Sequence, residues 1–146
     1  MIEWANEEIR DDKDVIMNAL EADGGALEFA SNRLKDDKEV ILKAVNKAGW
    51  TCCYASERLK GDKDVILAAS QNDGQVLYYA SEALRDDKDV VISAVTNKPI
   101  ILKYASYRLR HDKDVAIAAV SKGKAKVLEY ISPELREDEE IKKMLE

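Results

Sequence analysis

At 146 residues, 46% hydrophobic and 36% charged with two prolines and six glycines, the chain has the composition of one helix-rich soluble domain. Its 23 basic residues against 29 acidic ones give a net charge of −6, which on average repels nucleic acid and anionic membranes. No apolar run approaches bilayer length, no leader is expected at Met1, and the adjacent Cys52 and Cys53 suit neither a disulfide framework nor a zinc site.

The predicted elements recur. The string Asp-Lys-Asp/Glu-Val stands at residues 12–15, 37–40, 62–65, 87–90 and 112–115, a spacing of 25 each time, and a weakened copy at 138–141 follows after 26. A first helix, A, is expected to begin near each of Asp12, Asp37, Asp62, Asp87, Asp112 and Asp138. There a carboxylate can accept orphan backbone N–H groups and meet the positive end of the helix dipole. Val15, Ile16, Ala19 and Leu20, with Val40, Ile41, Ala44 and Val45, give the i, i+1, i+4, i+5 stripe of an amphipathic helix.

Gly24, Gly49 and Gly74 stand where helix A should stop, and Pro99 takes the same place in the fourth repeat. Proline suits the first turn of a new helix, so a second helix, B, is expected to start there. Its core stripe is Leu27, Ala30 and Leu34, with Leu77, Ala80 and Leu84 and Leu102, Ala105 and Leu109 as equivalents. Near its end Ser132-Pro133 reads as an N-cap followed by a first helical residue, so Ser31, Ser56, Ser81 and Ser106 are expected to cap a short turn of α or 3₁₀ type.

The predicted fold is therefore all-α: a single domain over 1–146, built as a solenoid of about six 25-residue units of helix A, helix B and a short capped turn. One unit has too few buried side chains to offset the entropy of ordering it, so the units must stack. The polar stretch 137–146 reads as an end cap. The chain starts within a repeat, with Trp4 in the aromatic slot, as a segment of a longer array would.

The Asp-Lys-Asp-Val-Ile-Leu-Ala-Ala string at 62–69 and the recurring Tyr-Ala-Ser-Glu-x-Leu-Arg/Lys-x-Asp resemble the repeats of the family called domain of unknown function 4116. That resemblance implies a helical repeat, occurrence in host-associated bacteria and protists, and no catalytic residues. The period is also similar to that of leucine-rich variant repeats, which alternate α- and 3₁₀-helices.

Four constellations invite a functional reading. Trp4, Phe29, Tyr54, Tyr79, Tyr104 and Tyr130 form an aromatic column, expected to pack because a residue present in every repeat serves what every repeat must do. Two basic columns, Arg10, Lys35, Lys60, Arg85, Arg110 and Arg136, and Lys13, Lys38, Lys63, Lys88 and Lys113, are expected to be neutralised by neighbouring aspartates. His111 takes a solvent-side slot without a partner for metal or acid–base work. Ser70, in an apolar slot, is expected to bond back to a helix carbonyl.

A further constellation departs from the repeat. Positions 25, 28 and 32 of helix B and their equivalents share a face by α-helical spacing, and there the repeats differ. Trp50, Tyr78, Ile100 and Tyr107 place large apolar groups where other repeats are polar, and they are the candidate partner-binding residues. No catalytic, cofactor or metal residues are assigned. The expected function is a non-enzymatic scaffold for a protein or peptide. A spacer or targeting module of a longer chain is the first alternative, and a nucleic-acid solenoid using the basic columns is the next. A monomer is expected, in the cytoplasm or delivered into a host cytosol.

Overall fold

In the computed structural model, which describes residues 6–146, each unit consists of three helical pieces. First comes a long α-helix: Lys13–Ala22, Lys38–Lys47, Lys63–Ser70, Lys88–Asn97 and Lys113–Gly123, with a shorter counterpart at Glu139–Met144. Asp12, Asp37, Asp62, Asp87, Asp112 and Asp138 cap these helices, each accepting the N–H three residues on at 3.1–3.3 Å. One of the donors that a helix start leaves orphaned is thereby satisfied.

A 3₁₀-helix follows: Gly24–Phe29, Gly49–Tyr54, Gly74–Tyr78, Pro99–Tyr104 and Lys124–Tyr130. The unit closes with a four-residue α-helix at Asn32–Lys35, Glu57–Lys60, Glu82–Arg85, Tyr107–Arg110 and Pro133–Arg136, preceded in the chain by Glu7–Arg10. The 3₁₀-helix stands where helix B is expected and the four-residue helix where the capped short turn is, so the stripe Leu27, Ala30 and Leu34 assigned to helix B spans both elements. Ala30, Ala55 and Ala105 are extended between them, and Ser31, Ser56, Ser81, Ser106 and Ser132 cap the short helices through their hydroxyls.

Competition for one donor explains the break. The N–H of Ser31 is taken by the carbonyl of Arg10 in the preceding unit at 3.0 Å, so it cannot close an α-helical bond to Leu27. Ser56 to Lys35, Ser81 to Lys60, Ser106 to Arg85 and Ser132 to Arg110 repeat this inter-unit bond.

Successive long helices pack side by side, as do successive 3₁₀-helices, and the core lies between the two layers. Ile41, Ile66, Leu77, Leu102 and Leu109 are wholly buried, as are Val40, Val65, Val90 and Val115, whereas Val15 in the first described unit is exposed. Ser70 bonds back to the Leu67 carbonyl at 2.9 Å and also meets the Ser93 hydroxyl at 2.6 Å. This pairing satisfies a buried hydroxyl.

The glycines that follow the long helices serve close packing, not a left-handed turn. No described glycine has positive φ. A Cβ on Gly49 would stand 2.5 Å from the Ala69 carbonyl oxygen, and one on Gly74 2.4 Å from that of Ala94, each on the next unit's long helix. Asn72 and Asn97 clasp the same joints by accepting the N–H of Gly49 and Gly74. No helix among the described residues is long and apolar enough to cross a membrane.

Candidate functional site: the clefts between short helices

The second basic column is spent on stacking. Lys13 lies 3.0 Å from Asp37 and 2.9 Å from Glu39 of the next unit, and Lys38, Lys63, Lys88 and Lys113 repeat this two-carboxylate contact down the chain. The hydrogen bonds that each lysine donates to these carboxylates hold it above its ordinary pKa.

A further basic column, not singled out in the sequence, closes a staple. Arg33, Arg58 and Arg108 each place Nε 2.8–2.9 Å from the carboxylate of Asp11, Asp36 and Asp86 in the preceding unit. The capping hydroxyls of Ser31, Ser56 and Ser106 donate to the same oxygens. Those hydroxyls first, and the guanidinium groups second, pull the three aspartates below the usual carboxylate range. The signal was present in the sequence, since Asp11, Asp36 and Asp86 and Arg33, Arg58 and Arg108 recur on the 25-residue register, interrupted together at Gly61 and Ala83.

The first basic column departs from expectation. Lys60 reaches Glu57 at 3.4 Å, but Arg85 donates to the carbonyls of Ala80 and Tyr78, and Arg110 to that of Tyr130. Lys35 and Lys60 instead lie 5.8 and 6.0 Å from the ring centres of Tyr54 and Tyr79 in the following unit. The reason is placement: these residues end the short helices, facing the next aromatic and away from the aspartate ladder.

Neighbouring short helices therefore enclose clefts, and Tyr104 and Tyr130 of the aromatic column line two of them. The cleft between Glu82–Arg85 and Tyr107–Arg110 has a volume of about 640 Å³ and is lined by Arg85, Asp86, Tyr104, Tyr107 and Arg108. Its successor holds Tyr107, Arg110, His111, Tyr130, Pro133 and Arg136. Toward the N-terminus the corresponding cleft is acidic, with Glu7, Glu8, Asp11 and Glu28 beside Arg10 and Lys35. Aromatic character thus concentrates in the later units.

The aromatic column is half-buried, with Tyr54, Tyr104 and Tyr130 packed on the core; Trp4 lies outside the described residues. The four candidates are exposed: Trp50 by 48%, Tyr78 by 48%, Ile100 by 42% and Tyr107 by 78%. They do not form one helical face. In a 3₁₀-helix positions 25 and 28 eclipse, whereas position 32 belongs to the next helix beyond an extended residue. Tyr78 meets Tyr104 edge-on at 5.1 Å, Tyr107 lines the cleft that Tyr104 also lines, and Trp50 stands 6.1 Å from Tyr54. Ile100 sits apart, in a groove with Lys98, Pro99 and residues 122–126.

His111 is exposed, with Nδ1 2.8 Å from the Tyr107 carbonyl and its ring 4.0 Å from the tyrosine ring. Among the described residues no cluster of His, Cys, Asp and Glu is arranged to hold a metal ion. Cys52 is buried in a core slot, and burial pushes its thiol up to about 11.

These features define an all-α tandem repeat in which α- and 3₁₀-helices alternate and each unit is hydrogen-bonded to the next. The chain belongs to the family described as Domain of unknown function (DUF4116), whose sequence pattern matches residues 1–35, 12–60, 37–85, 62–110 and 87–136. Four of these matches begin at a capping aspartate and end with a short helix, so each spans two stacked units. Comparison with curated proteins and with solved structures gives no match.

Proposed function

We propose that the chain is a non-enzymatic interaction scaffold that holds a protein or peptide along the clefts between its short helices. The observation that carries this reading is the exposure of Trp50, Tyr78 and Tyr107 in slots where other units carry Gly25, Glu28 and Asn32. Exposed aromatics on a rigid frame are the groups that anchor protein interfaces. A spacer would be served by burying them against the neighbouring unit, whereas Tyr78 keeps about half its surface open although it meets Tyr104. The carboxylate pairing of the Lys13 to Lys113 column favours a protein partner over a phosphate backbone.

The test is affinity capture from source-cell lysate at low and high salt, comparing wild type with a Trp50→Ser, Tyr78→Ser, Tyr107→Ser variant of unchanged helicity. Proteins retained at high salt by wild type and lost by the variant support the reading. Identical capture by both, or salt-sensitive nucleic acid alone, contradicts it.

A further inference from the structure

We infer that the groove around Ile100 is a second docking site, separate from the aromatic clefts, for an acidic segment of a partner protein that carries an aliphatic side chain between its carboxylates. The groove has a volume of about 620 Å³ and runs between the start of Pro99–Tyr104 and residues 122–126. Its floor is Pro99, Ile100 and Ala125, and its rim is Lys98, Lys122, Lys124 and Lys126, with no carboxylate in the lining. That is an unusual concentration of positive charge in a chain of net charge −6.

The lysines differ in how they are used. Lys122 donates to the carbonyls of Thr96 and Asn97 at the end of one long helix, and Lys124 to that of Met144 near the chain's end. Lys98 and Lys126 form no ion pair among the described residues. Lys98 and Lys126 thus leave two ammonium groups without a carboxylate beside an apolar floor, and an acidic ligand supplies that counter-charge while covering Ile100.

The backbone holds this arrangement under strain. This is the junction that carries the extra residue, a spacing of 26 instead of 25, and Lys124 has φ 51° and ψ −135°. It is the non-glycine residue of positive φ in the described chain. A Cβ on Gly123 would lie 2.7 Å from the Pro99 Cβ, so the lysine-bearing segment is pressed against the groove's floor. A membrane surface fits less well, because Ile100 alone offers a large exposed apolar group there. A phosphate backbone would leave Ile100 without a role.

The experiment titrates a short fluorescein-labelled peptide of glutamates around a central leucine pair, read by anisotropy at low salt. Wild type is expected to bind saturably, the Lys98→Glu, Lys126→Glu variant about tenfold more weakly and Ile100→Ser about threefold more weakly. All variants should keep wild-type circular dichroism. The Trp50→Ser, Tyr78→Ser, Tyr107→Ser variant should bind the probe as wild type does, which keeps this test independent of the cleft reading. Absence of saturable binding, equal binding by Ile100→Ser, loss in the aromatic variant, or tighter binding of phosphatidylserine vesicles or a single-stranded oligonucleotide would each overturn the inference.

Discussion

Arg58 grips Asp36 of the preceding unit at two points, with Nε 2.9 Å from the carboxylate and a terminal nitrogen 2.6 Å from the Asp36 carbonyl. The same grip joins Arg33 to Asp11 and Arg108 to Asp86. At the intervening joint both partners are missing together: Gly61 stands for the aspartate and Ala83 for the arginine.

Restoring the pair should stabilise that joint. Gly61 has φ −99° and ψ 5°, which any residue adopts, and a Cβ there would meet ordinary contacts at 3.5 Å or more. Gly61→Asp with Ala83→Arg is expected to raise Tm by on the order of 2 °C, and by more than the sum of the two single changes. Additive or negative effects in thermal unfolding would contradict the pairing.

Because each unit touches only its neighbours, a core defect should spread locally. Leu77→Ala, at a site with no exposure, is expected to cost about 2–5 kcal/mol. Hydrogen exchange should accelerate most in Gly49–Tyr54, Gly74–Tyr78 and Pro99–Tyr104 and least in Lys13–Ala22. Uniform acceleration along the chain would argue against nearest-neighbour stacking.

The inter-unit ion pairs set a pH window. Asp11, Asp36 and Asp86 are held below their ordinary 3.8, so their contribution is complete above that value and is lost as pH falls through the lower folded pKa. For Asp37, Asp62 and Asp87 burial pushes upward, but the preceding lysines and backbone N–H groups outweigh it. Lys38, Lys63 and Lys88 are raised above 10.5, so their contribution is complete below that value and is lost as pH rises through the higher folded pKa. Burial raises the Cys52 thiol from 9.0 to about 11 and adds to the alkaline loss, so urea midpoints should be flat from about pH 5 to about pH 8 and fall on both sides. A midpoint that changes steadily through neutrality would contradict the ladder's role.

Thiol chemistry separates the adjacent cysteines. Burial raises both thiols, Cys52 to about 11 and the half-buried Cys53 less fully. Peptide mapping after native labelling at neutral pH should find Cys52 unmodified and Cys53 modified slowly, with both labelled in urea. Native labelling of Cys52 would show that the 3₁₀ layer opens.

The period, the aspartate caps and the apolar stripe of the long helices were legible because the same residues recur at the same spacing. Helix B and the serine-capped short turn were legible too, but Leu27, Ala30 and Leu34 fit one α-helical stripe and so hid the extended residue at Ala30 that separates them. What breaks the stripe is a bond from Ser31 to the preceding unit, which no local pattern contains. Tyr107 was recognisable as a departure from the repeat, but the separation of Ile100 from it depends on how the residues around Lys124 pack against Pro99.

The scaffold reading is tested most directly by photo-crosslinking from three positions in turn: Tyr78, Tyr107 and, at the end of a long helix, the exposed Asn46. Each would carry benzoylphenylalanine in an otherwise unchanged chain exposed to source-cell lysate. The account predicts that Tyr78 and Tyr107 crosslink the same protein and that Asn46 does not. Equal crosslinking from all three positions, or capture from Asn46 alone, would contradict a binding face at the clefts.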